Sequence, residues 1–281
     1  MSEIYLCAIV NISSGSCPED CKFCTQSARF RADIDRYREK EIEQIVKEAT
    51  IARENGAVGV CLVTSGKGLD DKKLDFVTRS ARAVRDKLGS DFNLIGCNGL
   101  ATKEQLLELK ESGINAYNHN LESSKEHYEK ICSTHSWEQR YQTCLNVKEL
   151  GLKLVSGGII GMGESKEDRI SFINSLKELK PATTPLNFYH PNEALPLKEN
   201  NIDFDEAIEF IKYARENLSC KKLMLAGGRE YYFKDRQREI FEAGINSIVI
   251  GDYLTTKGER ANQDLQMLKS LNLEVARKCD G

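Results

Sequence analysis

The sequence lacks the features that mark a membrane protein or a small secreted domain. No stretch approaches the roughly 20 apolar residues that a membrane-spanning helix needs, and the first residues, MSEIYLCAIVNISSG, place an acid where a secretion signal carries basic residues. The formal net charge is only -3 over 281 residues, so nothing indicates a surface for nucleic acid or for a membrane. We therefore expect a cytoplasmic protein, whose thiols stay reduced.

Against this background the chain contains ten cysteines. An even number suggests disulfides in a short secreted domain, but in a reducing compartment burial, catalysis and metal ligation are the better interpretations. Most free cysteines are small buried hydrophobes, so spacing has to single out any ligand. Such spacing occurs in SCPEDCKFCTQS (16–27), where Cys17, Cys21 and Cys24 lie close together.

Short apolar runs alternate with longer charged segments of helical period along the whole chain. This alternation is typical of successive strand and helix units, and glycines at the ends of several helical segments fit left-handed C-caps. Eight strands in a chain of this length predict a parallel (β/α)8 barrel, with a doubly wound open sheet as the alternative. The predicted strands are 4–10, 58–65, 92–98, 116–121, 152–160, 185–189, 222–228 and 247–253.

The domain organisation predicted from the sequence is simple. No linker rich in Pro or Ser and no low-complexity segment divides the chain. We predict one barrel domain over residues 1–281, with a cluster-binding loop at 13–30 and a flexible C-terminal tail from about 260 to 281. In such barrels the active site lies at the carboxyl ends of the strands, and the three-cysteine loop follows the first strand.

Three thiols are an unusual number for a metal site. Structural zinc usually takes four protein ligands, and a [4Fe-4S] cluster is also commonly held by four thiolates. No fourth Cys or His lies within easy reach of the loop, so three thiolates on an iron cluster would leave one iron open to a small molecule. A structural zinc site is the alternative.

The C-x3-C-x2-C spacing after a first strand resembles that of the radical S-adenosylmethionine (SAM) superfamily. Further segments resemble the biotin synthase family in the same order: YNHNLESS, STHSWEQR, VSGGIIGMGES and LAGGREYYF. The resemblance implies a [4Fe-4S] cluster on Cys17, Cys21 and Cys24 that binds SAM, and insertion of sulfur between two unactivated carbons of dethiobiotin by radical chemistry. It also implies an electron donor such as flavodoxin or ferredoxin, and a homodimer.

The resemblance carries over to individual side chains. Phe23 matches a position whose backbone lies near adenine, and Glu122 matches an acid that binds the ribose of SAM. Arg140 matches an arginine on the SAM side, although a solvated helix residue is the alternative. Asn120 matches a contact to both the ribose and the ureido ring of dethiobiotin, and Asn187 matches the second ureido contact. Amides donate and accept, which suits a cyclic urea.

The resemblance also implies an auxiliary cluster, [2Fe-2S] or a variant, held by three cysteines and an arginine and giving up the inserted sulfur. Cys61 and Arg229 match two of these ligands. Ile95 and Val155 occupy the other two positions, and Cys97, on the same strand face as Ile95, is predicted to replace one cysteine. Three accounts stay open: a fourth cysteine from elsewhere, a cluster of another type with an open iron, or loss of the cluster.

Five further cysteines are interpreted as ordinary buried or surface thiols: Cys7, Cys132, Cys144, Cys220 and Cys279. Cys279 belongs to the predicted tail, which would fold over the mouth of the barrel if it folds at all. Two other functions remain as alternatives. One is a related radical SAM enzyme acting on another small substrate, and the other is a non-enzymatic iron-sulfur or zinc protein such as a carrier or sensor.

Overall fold

A computed structural model of the chain describes residues 3–198, 202–252 and 261–279. Within them every paired strand is parallel, and β5 pairs with β7, which closes the sheet into a barrel. The prediction of a barrel is confirmed and the open sheet is excluded. The strands are β1 Tyr5–Asn11, β2 Gly59–Val63, β3 Asn93–Cys97, β4 Ala116–Asn118, β5 Lys153–Val155, β6 Gly158–Ile160, β7 Thr183–Phe188, β8 Lys222–Leu225 and β9 Ser247–Val249.

Strands β5 and β6 are the two halves of one predicted strand, which is interrupted at residues 156–157. Counted as one strand, they give the barrel its eight strand positions. A glycine lies at the break because the neighbouring strand comes very close. A Cβ atom on Gly157 would lie 1.8 Å from the carbonyl oxygen of Pro185 in β7. No other residue fits there without moving the main chain.

Helices surround the barrel, and side chains cap several of their N-termini. The side chains of Asp70, Thr102 and Ser136 each accept a hydrogen bond from the first turn of the helix that follows. Among the described residues, no helix combines the length and apolarity needed to cross a bilayer. The helices are α1 Ile42–Glu54, α2 Asp71–Leu88, α3 Lys103–Glu111, α4 Lys125–Ile131, α5 Trp137–Glu149, α6 Lys166–Leu179, α7 Phe204–Asn217, α8 Arg229–Phe233, α9 Gln237–Glu242 and α10 Ala261–Ser270, with a 3-10 turn at Lys234–Arg236.

The main hydrophobic core lies between the outer face of the strands and the helices. Leu6, Leu62 and Leu94 are buried there from three adjacent strands. In α2 the side chains that meet them recur every three or four residues, as an amphipathic helix requires: Leu74, Val77, Ala81, Val84 and Leu88. The inside of the barrel is not filled in this way but encloses a cavity, which places the candidate site.

The C-terminal segment closes the amino-terminal end of the barrel. Ile4, just before β1, forms a parallel bridge with Val275, and its backbone bonds to residues 274 and 276. The prediction of a flexible tail over the mouth is therefore wrong for residues 261–279, which form α10 and pair with the opposite end. The unpaired backbone at the start of β1 explains this docking. Residues 253–260 and 280–281 lie outside the described parts.

A buried ion pair fixes α10 against the barrel. Arg229 Nη2 lies 2.5 Å from Asp264 Oδ1, and both side chains are 0% exposed. Gln237 also accepts a hydrogen bond from this guanidinium. Glu230 Oε1 lies 2.9 Å from the same Nη2 atom, so it compensates part of the charge that would be left buried if Asp264 were removed.

Replacing Asp264 with alanine is therefore expected to lower the free energy of unfolding of the apoprotein by about 1–3 kcal/mol, because Arg229 loses a buried partner but keeps Glu230. Urea unfolding followed by circular dichroism measures the loss. The matched control is Asp75→Ala, which removes the exposed i,i+4 partner of Arg79 and should cost less than about 0.5 kcal/mol. Equal losses in the two variants would contradict this role of the pair.

Candidate active site

The barrel encloses a cavity of about 500 Å³ that extends from the three-cysteine loop at the carboxyl ends of the strands to Cys279 at their amino ends. Its walls bring together residues from the cysteine loop, from most strands and from α5. All but one of the predicted site residues line it: Cys17, Cys21, Phe23, Cys24, Cys61, Cys97, Asn120, Glu122, Arg140 and Asn187. The exception is Arg229.

Backbone hydrogen bonds shape the cysteine loop. The N–H of Cys17 donates to the carbonyl of Gln26 at 3.1 Å, and the carbonyl of Cys17 accepts from Ala28 at 2.7 Å. Between these points the N–H of Cys24 donates to the carbonyl of Cys21 at 3.0 Å. The loop is thereby folded back on itself, and its three thiols face one cavity.

The loop is anchored on the segment that follows α4. The carboxylate of Asp20 accepts hydrogen bonds from the N–H groups of Ser133 and Thr134 at 2.9 and 3.2 Å, and the N–H of Lys22 donates to Ile131 at 2.9 Å. Partial burial would raise the pKa of Asp20, but these hydrogen bonds outweigh it and hold the pKa well below its usual range. The loop geometry is thus set before any cofactor binds.

The chemistry of the loop thiols suits a metal cluster. Burial raises the pKa of Cys17, and burial together with the neighbouring Cys17 raises the pKa of Cys24 to about 11. Thiols crowded in this way stay neutral on their own, whereas a metal cation among them favours the thiolate. The donor set therefore fits an iron-sulfur cluster.

One neighbour of the loop was missed by the sequence analysis. The sulfur of Cys132 lies 3.6 Å from that of Cys21 and 3.4 Å from His135 Nδ1, and these three side chains are close enough to share one metal ion. Cys132 is therefore not an ordinary thiol. His135 also lies 2.7 Å from the buried carboxylate of Glu19. The spacing C-x2-H in ICSTHSW is the sequence signal that was available.

Arg140, Glu122 and Asn120 form one connected group at the mouth of the cavity. Arg140 Nη2 donates to Glu122 Oε1 at 2.8 Å, and Arg140 Nε donates to the carbonyl of Asn120 at 2.7 Å. Both charged side chains are only 12% exposed, which excludes a solvated helix residue at position 140. Burial raises the pKa of Glu122, and the arginine opposes that rise.

The backbone around Glu122 is strained. Its φ of 68° lies in the left-handed region, which a residue with a long side chain rarely adopts. Gly158 makes this possible because any Cβ there would lie 2.5 Å from the carbonyl oxygen of Glu122. Strain of this kind is typical of functional sites and here aims the carboxylate into the cavity.

Three asparagines offer unused hydrogen-bonding capacity to the cavity. Asn187 donates to the carbonyl of Gly158 at 3.0 Å and accepts from the N–H of Gly227 at 2.8 Å, which leaves one donor and one lone pair of its amide. Asn120 accepts from the N–H of Gly157 at 3.1 Å. The Oδ1 atom of Asn118 is buried and finds no partner among the described residues. Unsatisfied polar atoms in a cavity indicate a polar ligand.

The structure corrects the predicted set of auxiliary ligands. Cys61 and Cys97 do meet, because both side chains pack in one cluster on the cavity wall, and the neighbouring Cys97 together with burial raises the pKa of Cys61. Arg229, however, is the first residue of α8, and the left-handed Gly228 before it (φ 85°) turns the chain out of the barrel. Its guanidinium bonds to Asp264 outside the cavity. The prediction of Arg229 as a ligand is therefore wrong.

The other expected ligand positions carry apolar side chains. Ile95 and Val155 line the cavity together with Met224, which faces inward from β8. None of these three side chains holds iron as a thiolate or a guanidinium would. The arrangement of three cysteines and one arginine that the resemblance implies does not fit this cavity.

A cysteine loop at the carboxyl ends of a parallel barrel, above a cavity lined with amides and a carboxylate, is the arrangement of a radical SAM enzyme. The family profile described as "Radical SAM superfamily" matches residues 11–176, and that of the "Biotin and Thiamin Synthesis associated domain" matches residues 185–274. Both segments contribute strands to the same closed sheet. The chain belongs to the radical SAM superfamily.

Curated relatives narrow the assignment. The chain is 57% identical over 277 residues to a biotin synthase of a Nitratiruptor species, with 99% of both chains covered. It is 58% identical over 279 residues to one of a Sulfurovum species, covering 99% of this chain and 98% of that one. It is 55% identical over 277 residues to one of Campylobacter jejuni, with 99% of both covered. Within the superfamily, the chain belongs to the biotin synthase family.

Solved structures with much lower sequence identity share the fold. A methylornithine synthase aligns with a TM-score of 0.84 at 20% identity, covering 98% of this chain and 84% of that chain. An FeFe-hydrogenase maturase from Carboxydothermus hydrogenoformans aligns with a TM-score of 0.83 at 18% identity, covering 96% and 67%. These likenesses confirm the barrel and add nothing about the substrate.

The anchoring of the cysteine loop can be tested by replacing Asp20 with alanine. Removing the carboxylate frees the N–H groups of Ser133 and Thr134 and loosens the loop, so reconstituted protein should lose iron to a chelator about tenfold faster, equivalent to roughly 1.4 kcal/mol. Asp33→Ala, an exposed carboxylate of the following segment, is the control. Identical rates of iron loss in the two variants would show that the anchor does not hold the loop.

Proposed function

We propose that this chain is a biotin synthase, which uses SAM and an iron-sulfur cluster to insert sulfur into dethiobiotin. The observation that carries the proposal is the convergence, in one cavity, of the three-thiol loop with Asn120 and Glu122, which follow β4, and with Asn187 of β7. Near full-length similarity to biotin synthases supports it independently. The same similarity to enzymes argues against a carrier or sensor.

Cys17, Cys21 and Cys24 are the proposed ligands of a [4Fe-4S] cluster. Held by these three thiolates, the cluster would keep one iron free of protein ligands for SAM, and it would supply the electron for the reductive cleavage of SAM. The protein's part is to hold the thiols in place through Asp20 and to keep water away. Phe23, beside Cys24, is proposed to place its backbone near the adenine.

Glu122 and Arg140 are proposed to hold the ribose of SAM. A carboxylate that accepts only one strong hydrogen bond from Arg140 Nη2, at 2.8 Å, keeps lone pairs for two hydroxyls. The guanidinium favours the ionised form of Glu122 and fixes its direction. The strained backbone at Glu122 is consistent with such a positioned acceptor.

The ureido ring of dethiobiotin is the proposed partner of the asparagines. A cyclic urea presents two N–H donors and one carbonyl acceptor, which the remaining donors and lone pairs of Asn120 and Asn187 complement. Asn118 lies on the same strand segment as Asn120, and its unpartnered Oδ1 atom provides a further acceptor. No acid or base chemistry is required of these residues, because radical abstraction replaces it.

A second candidate is a radical SAM enzyme of the same family that acts on another small substrate. The apolar side chains of Ile95 and Val155 at two expected ligand positions favour it. The asparagines that complement a cyclic urea favour dethiobiotin. The two candidates differ in the product and share the first chemical step.

Other features are proposed by analogy with the family. We propose that the chain works as one barrel domain in the cytoplasm, that a small electron carrier such as flavodoxin or ferredoxin reduces the cluster, and that the protein is a homodimer. The auxiliary cluster is proposed to be of [2Fe-2S] type or a variant. Sedimentation velocity of the reconstituted protein tests the dimer, and a monomer at micromolar concentration would contradict it.

The decisive activity experiment is anaerobic reconstitution followed by incubation with SAM, a reductant and dethiobiotin. Mass spectrometry is expected to detect both 5'-deoxyadenosine and biotin. Formation of 5'-deoxyadenosine without biotin would contradict dethiobiotin as the substrate and leave the second candidate. Absence of both products would argue against radical SAM chemistry in this chain.

The role of Asn187 predicts a selective loss of substrate affinity. Asn187→Ala should weaken dethiobiotin binding about tenfold, because a neutral hydrogen bond contributes about 1 kcal/mol or somewhat more, and should leave SAM affinity unchanged. Asn120→Ala should weaken the binding of both SAM and dethiobiotin. Asn217→Ala, outside the cavity on α7, is the control, and isothermal titration calorimetry gives the affinities. If the Asn187 variant lost affinity for SAM and not for dethiobiotin, the assignment of Asn187 to dethiobiotin would be refuted.

A further inference from the structure

Four thiols that belong to no part of the SAM site line the deeper half of the cavity. Three of them lie on adjacent strands, Cys7 on β1, Cys61 on β2 and Cys97 on β3, and the fourth is Cys279 of the C-terminal segment. The sequence analysis interpreted Cys7 and Cys279 as ordinary thiols. The structure places both on the cavity wall.

The three strand thiols form a rising series along the barrel. Cys7 pairs with Gly59, two residues before Cys61, and Cys61 pairs with Ile95, two residues before Cys97. Each step of two residues is about 6–7 Å along a strand, and all three side chains keep the inward face. Cys7 and Cys97 both pack against the buried cluster that contains Cys61.

Cys279 enters the same cavity at the amino ends of the strands. Its sulfur lies 2.6 Å from Asn93 Nδ2 and 2.9 Å from Lys222 Nζ, at the first residues of β3 and β8. The bridge between Ile4 and Val275 brings the segment to this position. The segment that closes the floor of the barrel therefore also delivers a thiol into it.

The surroundings suit negatively charged sulfur. Lys222 and Lys153 line the lower cavity, whereas the acidic lining residues, Glu19 and Glu122, belong to the mouth near the SAM site. Four thiols share this half of the cavity with these two lysines. A metal cation would relieve this crowding of thiols.

We propose that Cys7, Cys61, Cys97 and Cys279 are the ligands of the auxiliary iron-sulfur cluster, which is thus held by cysteines alone and without Arg229. The site begins level with Asn118 and lies on the amino-terminal side of Asn120 and Asn187, the main asparagines assigned to dethiobiotin. Iron-sulfur clusters are commonly held by four thiolates, and ligands of different irons stand farther apart than ligands of one ion, as the rising series does. This inference rests on the proposed function only in that the cluster is called auxiliary to the one that binds SAM.

The test isolates this site from the SAM site. In a background variant with Cys17, Cys21 and Cys24 all changed to Ala, the loop holds no cluster, so iron and sulfide counted after anaerobic reconstitution report the deeper site. We expect the background to retain iron and sulfide with iron-sulfur absorption. Adding Cys7→Ser, Cys61→Ser, Cys97→Ser or Cys279→Ser should lower the iron count several-fold, and Cys220→Ser, a buried thiol outside the cavity, should leave it unchanged.

The outcomes separate this inference from the proposed function. A background that binds no iron, or an unchanged iron count in any one of the four variants, overturns the ligand assignment even if the native chain makes biotin. Iron bound as expected without biotin formation by the native chain contradicts the proposed function instead. With the native loop restored, Cys7→Ser should still form deoxyadenosine, which shows that the barrel is folded, and should lose biotin formation.

Discussion

A buried thiol does not ionise unless a positive charge lies beside it, and seven of the ten cysteines of this chain line one cavity. Burial is the leading cause that raises the pKa of Cys7, Cys17 and Cys24. If these thiols are to ionise, cations must compensate their negative charge, and the side chains that line the cavity provide few. Iron is the compensation that the architecture implies, and the remaining parts of the site act to place it and its ligands.

The scaffold meets this requirement at both ends of the barrel. At the mouth, Asp20 ties the cysteine loop to the segment after α4, while Arg140 holds Glu122 in a strained conformation. At the floor, pairing of Ile4 with Val275 closes the barrel. The middle is left hollow, because inward residues such as Gly59 and Ala116 are small, and this is the space proposed for the substrate.

The sequence predicted the barrel because strand and helix periods alternate clearly, and it predicted the cysteine loop because three thiols in close spacing are rare by chance. It failed at Arg229, since no local pattern shows that a left-handed glycine turns the chain outward at that point. It also failed for Cys132 and Cys279, whose positions depend on a loop docking and on a strand bridge between distant segments. Such tertiary contacts leave no periodic signal.

The cavity is proposed to hold two separate iron sites, one at the cysteine loop and one among the four thiols deeper in the barrel. Anomalous X-ray scattering at the iron edge, measured on crystals of the anaerobically reconstituted protein, locates iron directly. We expect two groups of iron peaks. One lies beside Cys17, Cys21 and Cys24, and the other lies beside Cys7, Cys61, Cys97 and Cys279. Iron confined to the loop, or a second group of peaks beside Arg229, would contradict this proposal.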